Sequence, residues 1–351
     1  MVTFSPGPSK VYDTLPLYLK EAFEMGIMSI SHRSAMFMDL YQETETLIKE
    51  QLHVPQDYKL LFTSSATENW EIIAQSVTES ASFHIFSGSF GKKWYEFAKY
   101  IEPKTGILKL EPDQTVDVTN LDIGYEFDLI AITQNETSNA TQVSNETIAA
   151  IAHKFPEKMM AIDTTSSMAG IELDFSLADI WYASVQKCFG MPAGLGVLLL
   201  SPKAIQKVKK KGERGRYNSL SFMLENAENF QTHYTPNVLG IYLLKRVLQD
   251  IPEIQHIDQK TRSRMQQLEN AIANTGPMRM LIQNPEARSS TVLAVTAREP
   301  FISQIKKDAE VKGMQLGGGY GPLKASSFRI ANFPAINDRE FENLLRFLKE
   351  Y

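Results

Sequence analysis

The sequence predicts an α/β protein with a large domain, built on a mostly parallel sheet flanked by helices, and a smaller α+β domain at the C-terminal end. Three observations predict it. Short β-branched or apolar runs alternate with helical patterns through the first two hundred residues, a long helical stretch broken at Pro252 spans 238–274, and two further strand-like runs are interleaved with two helical ones beyond it. Alternation of this kind marks βαβ units, whose crossover helices cover both faces of a parallel sheet.

In chain order, strand runs at 59–63, 83–87 and 128–133 are each followed by a helical pattern, at 68–76, 92–100 and 148–155. Further strands are predicted at 159–163, 180–183 and 196–200, short apolar runs bounded by polar or small residues. The helical pattern at 238–250 stops before Pro252, which cannot donate a backbone hydrogen bond, and resumes over 255–274; the two read as an interdomain helix pair. The remainder offers strands at 290–296 and 327–331 and helices at 300–312 and 338–349. Gly317-Gly-Gly-Tyr-Gly321 lacks the strand-to-helix setting of a dinucleotide fingerprint and is predicted as a turn.

At roughly 100–200 residues per domain, the length supports about two domains. A formal charge of −5 gives no global attraction for nucleic acid or an anionic membrane. The basic stretch 207–216 reads as a solvated surface; an interaction module using it is the non-enzymatic alternative. One cysteine, Cys188, excludes an internal disulfide and a Cys-based zinc site and fits a reducing compartment. The six histidines contain no His-x-x-x-His pair, so no metal is expected. With neither a signal-like start nor an apolar run approaching the roughly 20 residues of a membrane span, the expected address is the cytoplasm, without membrane contact.

The most informative segment for chemistry is Ala183-Ser-Val-Gln-Lys187-Cys-Phe-Gly-Met-Pro-Ala-Gly-Leu-Gly196, a lysine between an apolar strand and a Gly/Pro-rich turn. Desolvation there lowers an amine's pKa and makes a Schiff-base nucleophile available. A loop lysine with its head in water is the other reading. Asp163 ends the run Met159-Met-Ala-Ile162, and ligands of open α/β sheets sit at the carboxyl ends of strands. A lysine and an aspartate on one sheet edge match the needs of pyridoxal phosphate, whose ring nitrogen must stay protonated; a helix cap or turn role for Asp163 stays open. Phe62-Thr-Ser-Ser-Ala-Thr67 turns from a strand through small residues into a helix, a setting for phosphate binding or for simple capping.

Taken together, these segments resemble the class V branch of fold-type I pyridoxal phosphate enzymes, and within it the phosphoserine aminotransferases. The resemblance runs over nearly the whole chain, through Phe4-Ser-Pro-Gly-Pro8, Ile30-Ser-His-Arg-Ser34, residues 54–62, Asn135-Glu-Thr137, Ala161-Ile-Asp163, Gln186-Lys187, Thr235-Pro236 and Phe328-Arg329. It implies the fold-type I organisation, with 1–14 packing on the small domain, 15–250 forming the cofactor-binding domain and 251–351 the small domain. It also implies that Lys187 is the Schiff-base lysine and that Asp163 pairs with the ring nitrogen. Ser65, Ala66, Thr67 and Gln186 would hold the cofactor phosphate, Thr137 would bond near the ring, and Phe90 would stack on it. Thr235 would reach the phosphate in the neighbouring subunit of a homodimer with shared active sites. Arg329 would grip the substrate α-carboxylate, with His32 and Arg33 facing the substrate side chain. The implied reaction moves the amino group of glutamate to 3-phosphohydroxypyruvate, giving phosphoserine and 2-oxoglutarate in serine biosynthesis; substrates are small amino and 2-oxo acids.

Three positions depart from the phosphoserine pattern. Phe90 stands where those enzymes carry Trp, the turn Ser64-Ser-Ala-Thr67 lacks their Arg, and the loop 317–324 lacks their His. His32-Arg-Ser34, Gly88-Ser-Phe90 and Asn135-Glu-Thr-Ser138 also resemble the alanine–glyoxylate and serine–pyruvate transaminases of the same class, which form the second reading.

Overall fold

The computed structural model describes residues 1–102 and 104–351. The chain opens with β1 (Val2–Phe4), α1 (Leu15–Glu24), α2 (Ala35–Leu52), β2 (Lys59–Thr63), α3 (Ala66–Ser76), β3 (Ser82–Phe86), α4 (Ser89–Ile101) and β4 (Thr105–Lys109). It continues through β5 (Leu129–Thr133), the short pair β6 (Asn135–Glu136) and β7 (Thr141–Gln142), α5 (Asn145–Lys154), β8 (Met159–Asp163), β9 (Ile180–Ser184) and β10 (Gly196–Leu200). Then follow α6 (Pro202–Lys211), α7 (Leu220–Ala227), α8 (Val238–Asp250), α9 (Ile254–Ala273), β11 (Arg279–Met280), β12 (Val292–Thr296), α10 (Glu299–Val311), β13 (Met314–Gly318), β14 (Ser327–Ala331) and α11 (Asp338–Leu348).

Among the described residues, seven strands form the larger sheet in the order β2-β10-β9-β8-β5-β3-β4. From β9 to β4 all neighbours pair in parallel, and these inner strands are continuous apolar runs because helices cover the sheet. In this mostly parallel sheet the exception is β10, which runs antiparallel to both β9 and β2. The connection 185–195 is too short for a crossover, so the chain must return beside β9 in the opposite sense.

A second sheet, in the order β1-β13-β14-β12-β11, joins the N-terminal strand to the C-terminal part of the chain. Each sheet carries its own apolar core. Phe4 and Cys188 belong to the second core, and α9 crosses between them, with Ile254 and Ile257 in the first and Leu268 and Ile272 in the second. The helix pair expected at 238–274 is therefore corrected: α9 bridges, whereas α8 packs on α1 and α2 inside the first core. The predicted turn at 317–321 is also corrected in its first half. Gly317 and Gly318 end β13, and a Cβ on Gly317 would lie 2.5 Å from Pro6 Cδ and 2.9 Å from the Arg329 carbonyl. Most of the basic stretch on and just after α6 is paired within the chain: Lys207 with Asp128, Lys209 with Glu228, Arg214 with Glu225 and Arg216 with Glu213.

Candidate active site

The sheet topology brings several strand ends to one edge. Thr133 ends β5 opposite Asp163 at the end of β8, and Ser184 ends β9 opposite Gly196, which on its other side faces Thr63 of β2. A cavity of about 230 Å³ opens at this edge, lined by Asp163, Ser184 and Lys187, with Pro6, Gly7 and Pro8 forming part of its wall. A groove of about 450 Å³ near Lys59 and Phe230 is larger, but it contains none of these groups. The chemistry, rather than size, selects the smaller cavity.

Lys187 lies just beyond β9 and is buried. Its loop is held by Ser9, whose N–H and hydroxyl both donate to the Gln186 carbonyl, at 3.2 and 3.1 Å. The Lys187 Nζ donates to Thr137 Oγ1 at 2.7 Å and lies 5.2 Å from the centre of the Phe90 ring. Burial lowers its pKa to about 8, against the opposing pull of the Asp163 and Glu136 carboxylates. Burial raises Asp163, while the Thr165 N–H and hydroxyl, donating to Oδ1 at 2.9 and 2.5 Å, and the nearby Lys187 oppose it. Burial dominates at both groups, so each gains from an oppositely charged neighbour.

Glu136 organises the opposite wall. Its buried carboxylate accepts from the Phe90 and Gly91 N–H groups, both at 3.0 Å, and from the Ser138 N–H and hydroxyl at 2.9 and 2.6 Å. It thereby fills two of the donors that the first turn of α4 leaves unpaired, while the Ser89 N–H donates to Ser138 Oγ at 2.9 Å, and it ties Phe90 to the loop holding Thr137. Arg329, on β14, donates from Nη1 to the Thr137 carbonyl and from Nε to the Gly318 carbonyl, both at 2.8 Å. Two of its five donors are fixed and the others are available to an anion. Across the cavity Ser65 caps α3, accepting from the Glu68 N–H at 3.2 Å, and the Ala66 N–H donates to Ser184 Oγ at 2.7 Å.

The cavity thus gathers Ala66, Thr67, Phe90, Thr137, Asp163, Gln186, Lys187 and Arg329 from separate parts of the chain, with Ser65 at the adjoining helix cap. It does not gather His32, Arg33 or Thr235. His32 is half-buried; Arg33 is exposed and donates to Asn226 Oδ1 and Gln231 Oε1 at 2.8 and 2.5 Å; Thr235 is exposed. None of the three lines the cavity of its own chain. Sequence reasoning misses Trp70, Thr133, Asn135, Ser184 and Tyr320, which do. Only Ser184 carried a usable signal, as a hydroxyl at the strand end leading to the lysine.

The lining suits pyridoxal phosphate. Trp70, Thr133 and Asn135 line the cavity, and the buried Thr133 Oγ1 and Asn135 Oδ1 have no hydrogen-bond partner among the described residues. Such atoms are costly unless a bound polar group satisfies them. An amine and a carboxylate stand beside them for the aldehyde and the ring nitrogen. Among the described residues no group of three or more His, Cys, Asp or Glu could hold a metal ion.

Fold and cavity together define a pyridoxal phosphate-dependent aminotransferase of fold type I. Residues 4–316 match the model of the class-V aminotransferases, and the chain belongs to that family. The phosphoserine aminotransferase of Rhodococcus opacus is 26% identical, over 98% of this chain and 93% of its own. Among solved structures, a phosphoserine aminotransferase from Cytophaga hutchinsonii is 33% identical, with a TM-score of 0.95 over 99% of this chain and 98% of its own. An aspartate aminotransferase from Thermus thermophilus shares the fold at 20% identity, with a TM-score of 0.88 over 100% and 98% of the two chains.

Proposed function

We propose that this enzyme is a phosphoserine:2-oxoglutarate aminotransferase of serine biosynthesis, working as a cytoplasmic homodimer with shared active sites. The observation that carries this reading is likeness along almost the whole chain to proteins named phosphoserine aminotransferase. Pyridoxal phosphate supplies an aldehyde that bonds amines and a ring that withdraws electrons from the substrate α-carbon. In this reading Lys187 holds the aldehyde, Asp163 the ring nitrogen, and Phe90 and Thr137 the ring. Ser65, Ala66, Thr67, Gln186 and the Thr235 of a partner subunit hold the phosphate.

Lys187 also moves the proton. Burial lowers its pKa to about 8, so near physiological pH a far larger fraction of the amine is neutral than for an ordinary lysine, and readying it to take the proton from the substrate α-carbon costs correspondingly less. The Thr137 hydroxyl, 2.7 Å away, then accepts a hydrogen bond from the resulting ammonium. Arg329 orients the substrate by its α-carboxylate, using the guanidinium donors not fixed by Thr137 and Gly318. His32, half-buried, and Arg33, exposed, lie outside the cavity of their own subunit and complete the site of the other.

The test is direct competition of substrates. Turnover of phosphoserine with 2-oxoglutarate is expected to exceed that of alanine or serine with glyoxylate or pyruvate. The second reading, an alanine or serine transaminase, is favoured by the absence of an arginine from Ser64-Ser-Ala-Thr67 and of a histidine from the loop 317–324. Faster turnover of alanine or serine would establish it.

A further inference from the structure

We propose that Lys93, anchored by Tyr320, binds the anionic side chain of the substrate from within the same chain as Lys187. This rests on the phosphoserine reading and names a group that recognises the phosphate.

The argument begins with spacing on α4. Phe90 and Lys93 are three residues apart and share a helix face. The Phe90 ring, 5.2 Å from Lys187 Nζ, also lies 5.3 Å from the Tyr320 ring. Lys93 Nζ is 5.7 Å from the centre of Phe90 and 5.6 Å from that of Tyr320, and it donates to the Tyr320 hydroxyl at 3.0 Å. The Arg329 guanidinium lies 5.5 Å from the same Tyr320 ring. Two aromatic rings of the cavity lining therefore connect the lysine of the reaction, the arginine assigned to the α-carboxylate, and a third cation, Lys93, just outside that lining.

The third cation is uncommitted. Lys92, its neighbour, pairs with Glu96 at 3.4 Å, whereas Lys93 is exposed and, among the described residues, has no carboxylate within ion-pair reach. Tyr320 reaches the cavity because the glycines around it permit a tight turn. A Cβ on Gly319 would lie 2.2 Å from the Leu323 carbonyl, and Gly321 has a φ of +54°.

The pair presents donors outward. Lys93 has two N–H groups beyond the one given to Tyr320, and the Tyr320 hydroxyl, already accepting, keeps its own proton to donate. A phosphate monoester or a carboxylate has the complementary acceptors, and the methyl group of alanine has none. With the α-carboxylate on Arg329 and the α-carbon at Lys187, the side chain passes along Tyr320 towards Lys93.

The test compares wild type with Lys93→Gln, Lys93→Arg and Tyr320→Phe, all loaded with cofactor. For Lys93→Gln the ratio of kcat/KM for phosphoserine to that for alanine is expected to fall about 10- to 100-fold, the effect of losing a charge-assisted hydrogen bond. Lys93→Arg is expected to recover most of the ratio, and Tyr320→Phe to lower it less than Lys93→Gln does. Calorimetric titration with 3-phosphoglycerate, which keeps the phosphate and carboxylate but has no amine to react, is expected to show a similar weakening in Lys93→Gln. A ratio within about twofold of wild type, or a loss shared equally by alanine, overturns the assignment. If wild type itself shows no preference for phosphoserine, the phosphoserine reading fails separately. Aspartate, with a carboxylate side chain, then replaces phosphoserine in the same ratio: its fall in Lys93→Gln supports the anion site, and an unchanged ratio overturns it.

Discussion

At Lys187, one buried nitrogen is asked both to hold a cofactor and to move a proton. Lys187→Ala is expected to abolish transamination and the absorbance of covalently held cofactor, since no other amine among the described residues lines the cavity. Near wild-type turnover would show that the site is elsewhere. The lowered pKa also has a thermodynamic sign. Between about 8 and the ordinary 10.5, the unfolded chain holds a proton that the folded chain lacks, so this group makes unfolding free energy rise with pH across that window. In the cofactor-free protein, Lys187→Met is expected to be more stable than wild type at about pH 7, with the difference closing towards the upper end of the window. Denaturant melts across pH measure this, and a pH-independent difference contradicts a buried ammonium. Asp163→Ala is expected to keep some cofactor but lose most of the rate, because an unprotonated ring nitrogen withdraws electrons poorly. Cofactor content and single-turnover rate separate those effects, and an unchanged rate at full occupancy refutes the pairing.

At the scale of elements, the site depends on how closely the strand ends approach. Gly196 starts β10 between Ser184 and Thr63, and a Cβ there would lie 2.4 Å from Thr63 Oγ1 and 2.8 Å from the Ser65 carbonyl carbon. Gly196→Ala is expected to displace the Ser65-Ala66 turn, lowering Tm through overpacking of roughly 1–3 kcal/mol and weakening cofactor binding through the displaced turn. Equilibrium titration with pyridoxal phosphate checks it; unaltered affinity means the turn does not hold the phosphate. The same close packing explains what is legible in the sequence. Strands 59–63, 159–163, 196–200 and 327–331 and helix 238–250 are readable to their observed bounds because apolar runs end at clear breaks. Helix α1 is not, since Leu17, Leu19 and Phe23 face outward and blur its amphipathic stripe, and edge strand β4 is only half covered. Lys187 and Asp163 stand out as ionisable groups beside apolar strands. Glu136 does not, because its importance lies in backbone N–H groups of Phe90 and Gly91, far away along the chain.

At the scale of the whole molecule, the arrangement of one chain leaves assigned residues on the outside. Thr235 is exposed, and His32 and Arg33 lie away from the Lys187 cavity of their own chain. If Thr235 serves the cofactor phosphate of a neighbour, a dimer of Lys187→Ala with a Thr235→Glu chain contains one site that lacks both its lysine and its neighbour's threonine, and one site with both intact. The glutamate matters because a carboxylate beside a phosphate repels it, whereas an alanine would only remove one hydrogen bond. Each variant alone is expected to be inactive or nearly so. Unfolding and refolding them together in equal amounts gives about half hybrids by random pairing, each with one working site, so activity is expected to recover to roughly a quarter of the wild-type value per site. Recovery that appears only after subunit exchange identifies a site built from two chains. A Thr235→Glu protein that retains full activity and cofactor affinity by itself, or a mixture that stays inactive although hybrids are demonstrated, excludes the shared site.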